Sequence, residues 1–283
     1  MATLDLGPTG ISIALSEDGG HLADAAELEK LGYDALWLPG GQLRSLEPVA
    51  DLVRSTQSVR IGTAIIPLDV HGDTAVASTY ADLDRTDPGR FVVGLGGPQQ
   101  GPSPMRAMNG FLDRIEAAAV PIPQHQRILA ALGPKKLALA RERFGGAIAL
   151  LVAPDYTAGA RAALGADPAL IIDQVVIPDT DADRARTAAR RLLGFLLTVP
   201  GYRMNALRMG FSETEIDHLD ARLVDALVVW GDIETIAARV GEHRDAGADH
   251  IVLNMLSTVP GGSFLDDAGA LASAPGVAVA AAS

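Results

Sequence analysis

The sequence predicts an α/β fold: a closed (β/α)8 TIM barrel with a helical excursion between its seventh and eighth strands. Three observations carry this. Short apolar runs alternate with amphipathic stretches along nearly the whole chain, eight such runs are countable, and 283 residues suit one barrel domain spanning 1–283. An open doubly wound sheet is the competing architecture. The strand count and the missing dinucleotide fingerprint weigh against it.

The elements follow in order. The first strand is placed at 10–15. Leu22, Ala25, Ala26, Leu28 and Leu31 recur at helical spacing over 21–31, and Gly32 suits the stop. The second strand is 35–38, with a helix over 45–55. The third is 59–66, with a helix over 73–84. The fourth is 90–95, followed by a Gly- and Pro-rich connection, 96–123, that carries a helix over 105–118. The fifth strand, 127–132, leads into a helix over 134–144, and the sixth, 147–152, into one over 156–164. The seventh is 170–177. The excursion, 179–227, holds a helix over 181–197 and two shorter ones. Asp232 suits the N-cap of a helix over 232–246, which precedes the eighth strand, 250–255. The Ala-rich tail, 270–283, is expected to fray or to lean on a neighbour.

Composition excludes several classes. The net charge of −12 argues against a duplex-binding protein. The absence of cysteine rules out disulfides, thiolate metal sites and a cysteine nucleophile, and fits a reducing cytoplasm. No signal peptide and no apolar run of membrane-spanning length is visible. The histidines show no ligand spacing, so no metal is expected, and there is no nucleophile elbow.

In such a barrel the active site lies just beyond the C-terminal ends of the strands. The most informative segment there is Ala131-Leu132-Gly133-Pro134-Lys135-Lys136. Gly permits the turn, Pro takes the first helical position, and a helix start exposes free N–H groups. The chain has three lysines, and two stand at this start, where the dipole disfavours cations. An anion between them accounts for the arrangement; two solvated lysines are the plainer alternative. Gly94-Leu95-Gly96-Gly97 departs from a dinucleotide fingerprint at Gln99, so Gly96 and Gly97 read instead as small residues leaving room for a flat ring. Gly62, within the third strand, suggests a bulge or a close approach. His71 follows that strand on the active face and could transfer a proton, or be merely solvated. Trp37 ends the second strand and could pack or face the site.

Four segments carry a resemblance: ELEKLGYDALWLP (27–39), PGRFVVGLG (88–96), AALGPKKLALARERFGG (130–146) and LVVWGDIETIAARVGEHRDAGADHIVL (227–253). In this order, they resemble the luciferase-like monooxygenase superfamily, and within it the F420-dependent oxidoreductases. The resemblance implies a flavin-shaped tricycle at the barrel mouth. The ring would lean on a bulge at Thr63-Ala64-Ile65, often with a non-prolyl cis peptide. Gly96 and Gly97 would flank it, and the turn Ala131-Leu132-Gly133 would approach its phosphate-bearing tail. It implies hydride transfer between coenzyme F420 and a small organic substrate, in a homodimer. FMN with a monooxygenase or reductase activity is the alternative, and a catalytically silent flavin-binding or scaffold barrel the second. Relatives often place a histidine or acid after the second strand and a histidine after the fourth. This chain has Gly40-Gly41 and Pro98-Gln99 there, which leaves His71 as the proton-transfer candidate.

Overall fold

The computed structural model describes residues 4–40, 43–98, 104–258 and 262–279. All of its strands run parallel. They are β1 (Thr9–Ser12), β2 (Ala35–Leu38), β3 (Arg60–Thr63) continued by β4 (Ile66–Pro67), β5 (Phe91–Gly96), β6 (Arg127–Ala130), β7 (Gly146–Leu150), β8 (Ala169–Ile177), β9 (Val228–Trp230) and β10 (His250–Met255). Adjacent strands pair in chain order up to β8. The ring then closes through β10, which pairs β8 over six residues and β1 through Thr9↔Ile251. With β3 and β4 taken as one interrupted strand, eight strands close the barrel. β9 adds a short parallel rung beside the upper end of β8, through Val175↔Val228.

Helices wrap the outside: α1 (Gly20–Lys30), α2 (Glu47–Ser55), α3 (Asp73–Thr86), α4 (Pro104–Glu116), α5 (Pro134–Arg143), α6 (Pro154–Leu164), α7 (Ala182–Leu196), α8 (Pro200–Arg208), α9 (Glu213–His218), α10 (Ala221–Leu227), α11 (Ile233–Asp245) and α12 (Phe264–Ala272). Strand alternation sorts the side chains into two layers. Outward residues such as Leu36, Leu38, Val93 and Leu129 join the core under the helices. Inward residues, Ala35, Trp37, Val92, Ile128, Ile148, Ile171 and Val252, fill the barrel. A third cluster, built on Val175, Ile177, Leu193, Leu223 and Val228, seats the excursion on the upper ends of β8 and β9.

The differences from the sequence reading have local causes. The first strand ends at Ser12, and beyond it Ala14 and Leu15 lie at the surface. The third is broken at 63–65. The excursion holds three helices after α7 rather than two, and β9, only three residues long, carries too little pattern to read. The tail is packed as far as 279. Leu271 and Val277 are buried, Tyr33 donates to the Ala268 carbonyl at 2.8 Å, and Thr9 Oγ1 donates to the Ala278 carbonyl. Residues 280–283 lie outside the described residues, as do Gly41 and Gln99.

Candidate active site at the barrel mouth

The break in the third strand shapes the mouth. The β3–β5 ladder pairs Gly62↔Val92, and the β4–β5 ladder resumes at Ile66↔Leu95, so three residues oppose two. This is a one-residue bulge. Thr63 Oγ1 accepts from the Gly94 N–H at 3.0 Å and donates to the Gly94 carbonyl at 3.2 Å, replacing the lost ladder bonds. The Ala64–Ile65 peptide is cis. Ile65 presses on two glycines. A Cβ on Gly40 would stand 2.2 Å from the Ile65 carbonyl oxygen, and one on Gly96 would stand 2.0 Å from Ile65 Cδ1. Gly96 therefore leaves room for Ile65, not for an external ring. On the neighbouring inward positions, Ser12, Ala64 and Ala130 are small and partly exposed, so this side of the mouth is open.

Beside it lies a concentration of positive charge. Gly133 is the N-cap of α5, extended and with no side-chain cap, and Pro134 takes the first turn. Lys135 is exposed. Lys136 is half-buried, with its ammonium 3.5 Å from where a Gly97 Cβ would stand. Among the described residues it has no ion pair or hydrogen bond, and burial lowers its pKa. A second cation comes from the excursion. The Arg208 guanidinium stands 3.4 Å from where a Gly133 Cβ would be, and it too has no ion pair among the described residues. Tyr156 OH lies 3.1 Å from both the Ala131 and Leu132 carbonyls, sharing its proton between them and fixing the turn. The fold thus brings Gly97, Gly133, Lys136 and Arg208 to one edge of the mouth. Arg208 escaped the sequence reading because it is one of twenty arginines, in a segment with no strand periodicity to place it.

Two expected residues sit elsewhere. Trp37 is fully buried inside the barrel, its ring against Gly62, and its Nε1–H donates to His250 Nε2 at 3.0 Å. His250 Nδ1–H in turn donates to the Gly7 carbonyl at 2.7 Å. Trp37 therefore belongs to the barrel floor, because alternation turns its side chain inward one layer below the mouth. His71 is buried, and its Nε2–H donates to the Leu43 carbonyl at 3.0 Å, tying the β4–α3 loop to the β2–α2 loop. That proton is engaged in holding backbone.

The sequence reading missed one acid. Asp173 of β8 is buried and inward, between Ile171 below and Val175 above. Asn254 Nδ2 donates to its Oδ1 at 3.1 Å, and burial pushes its pKa up to about 7. Its neighbour Gln174 faces outward, accepting from His243. A single Asp within an apolar run gave no periodic signal of its own. Among the described residues no cluster of metal-ligating side chains occurs, and no helix is long and apolar enough to cross a membrane.

Residues 17–113 match the family described as luciferase-like monooxygenase. The whole fold is similar to that of an F420-dependent secondary alcohol dehydrogenase solved with an F420–acetone adduct (TM-score 0.73, 17% identity, 94% of this chain and 97% of that one). It is also similar to the coenzyme F420-dependent tetrahydromethanopterin reductase of Methanopyrus kandleri (TM-score 0.71, 15% identity, 95% and 98%). The sequence is 33% identical over 94 residues to 4-hydroxyprotoasukamycin monooxygenase of Streptomyces nodosus subsp. asukaensis. That stretch is 29% of this chain and about a quarter, 25%, of the curated relative.

Proposed function

We propose that this chain, whose residues 17–113 match the family described as luciferase-like monooxygenase, is an oxidoreductase that binds coenzyme F420 at the barrel mouth and uses it on a small organic substrate. The observation that carries the reading is the half-buried Lys136 ammonium beside Gly97, without a partner among the described residues, with Arg208 over Gly133 at the start of α5, which has no side-chain cap. Two cations with no ion pair among the described residues, at the positive end of the α5 dipole, fit the phosphate-bearing tail of such a cofactor. The small side chains of Ser12, Ala64 and Ala130 then leave the adjacent side of the mouth to the ring, against Ile65. When bound, the cofactor supplies the hydride chemistry. The residues of the chain anchor its tail, set the ring against the bulge and exclude water from one face.

FMN with a monooxygenase activity is the second reading, favoured by the likeness of 94 residues to a monooxygenase. Titrating F420 and FMN separately into the protein, with fluorescence quenching and thermal shift as readouts, separates the two. F420 alone should bind; FMN alone would replace the first reading with the second. No shift with either would leave a scaffold barrel. Lys136→Ala should weaken binding by more than roughly tenfold, a loss of about 1.4 kcal/mol, and exposed Lys135→Ala should do much less. Unchanged affinity in Lys136→Ala would remove the tail site.

A further inference from the structure

The mouth has a second side, where the excursion packs on the upper ends of β8 and β9. Alternation places Ser12, Ala64, Gly94, Ala130, Leu150, Asp173, Val175 and Asn254 on the inward faces of the upper barrel. Asp173 is the one carboxyl group among these described positions. Oδ1 accepts from Asn254 Nδ2, while Oδ2 has no hydrogen-bond partner among the described residues. Asp173 is 6% exposed, so a nearly buried acid stands on the inward face with Asn254 as its hydrogen-bond partner. An acid so placed is costly to ionise unless its charge meets a partner or a ligand.

We infer that Asp173 is the proton-exchanging residue of the site, set where it faces the substrate between the bound ring and α8. This rests on the oxidoreductase reading above, and it fills the role for which neither His71 nor Trp37 is placed. The matching substrate class is a carbonyl–alcohol pair. In the reducing direction, a hydride from the reduced ring carries an electron pair to the carbonyl carbon. The O–H bond of the protonated Asp173 breaks, its proton goes to the carbonyl oxygen, and the carboxylate keeps the bonding pair. In the oxidising direction the carboxylate takes the hydroxyl proton as hydride leaves the carbon. Burial holds the acid near about 7, so both forms are available close to neutral pH.

The surroundings agree with this. From α8, Tyr202 is the titratable group that faces Asp173, its phenol pushed up to about 12 by burial and then by the Asp173 charge. β7 contributes Ile148 and Leu150, and β10 contributes Val252 and Asn254, none of them ionisable. His243 lies on the far side of β8, bonded to Gln174, and His250 lies in the floor, bonded to Trp37.

The test reads Asp173 directly. The infrared band of its protonated carboxyl, isolated as the difference between wild type and Asp173→Asn, is titrated from acid to alkaline pH, first on the free protein and then with F420 or FMN bound. The free protein should give a midpoint near about 7, and loading the mouth should move it by a pH unit or more. The Asp173→Asn variant should still bind the cofactor within about threefold, so that the change is one of protonation and not of anchoring. A midpoint identical with the mouth empty and loaded would make Asp173 a sealed core acid and overturn the inference while leaving the cofactor reading intact. Failure of wild type to bind either cofactor would remove both.

Discussion

At the scale of single residues, the glycines of β5 and its C-terminal end show how one motif divides its labour. Gly94, Gly96 and Gly97 read in the sequence as one permissive stretch, yet each answers a different neighbour. A Cβ on Gly94 would lie 1.7 Å from the Thr63 carbonyl oxygen, a backbone atom held in the bulge. A Cβ on Gly97 would meet only the flexible end of Lys136 and Pro104 Cβ, at 3.5 and 3.8 Å. Gly94→Ala must therefore displace the bulge and should cost about 3 kcal/mol or more, or prevent folding. Gly97→Ala should fold normally and change only cofactor affinity. Urea denaturation with a parallel binding titration checks both. Equal stability losses in the two variants would contradict the assignment. The sequence could show that small residues cluster here. It could not show which atoms they make way for, because the bulge that sets those contacts is a mismatch between two strands, with Thr63 and Gly94 31 residues apart.

At the scale of elements, the eight barrel strands and most helices were legible because their apolar spacing is long and regular. β9 and α12 were not, one being too short and the other too rich in small residues. The Pro88-Gly89-Arg90 segment carried part of the resemblance without revealing its task. Arg90 is buried beneath the barrel and donates to the carbonyls of Val59, Val53, Thr56 and Gln57 and to Thr56 Oγ1, between 2.6 and 3.3 Å. It gathers the α2–β3 turn from inside. Glu29 gathers the same turn from outside, accepting from the N–H groups of Gln57, Ser58 and Val59, and these bonds hold its pKa low against the opposing effect of burial. A lysine cannot reproduce this planar fan of donors. Arg90→Lys should lower stability by about 2–4 kcal/mol and leave cofactor affinity at the opposite end of the barrel unchanged at temperatures well below melting. A fall in affinity without loss of stability would show that the two ends are not separate.

At the scale of the whole molecule, three buried groups, His243, His250 and Asp173, govern how burial couples stability to pH between about 4 and 7, and they do not all pull the same way. His250 and His243 are buried neutral, each held down to about 4 chiefly by desolvation. His250 accepts from Trp37 and has no acceptor for a second proton, so charging it breaks that bond as well. Between about pH 6.5 and 4, the unfolded chain binds a proton at each histidine that the folded chain refuses, so stability is lost as pH falls through this window. Asp173 behaves oppositely. Its folded pKa is raised to about 7, so over roughly the same window the folded chain keeps a proton that the unfolded one has released. Two protons gained on unfolding less one released leave a net uptake of one, and a slope of about 1.4 kcal/mol per pH unit. Asp173→Asn removes the opposing group. The variant should be more stable than wild type above pH 7, where the wild-type carboxylate is charged inside the barrel, and should lose stability about twice as steeply on acidification. Chemical denaturation at a series of pH values reads both slopes. Parallel curves for the two proteins would mean that Asp173 ionises as an ordinary surface acid and that its place inside the barrel is wrong.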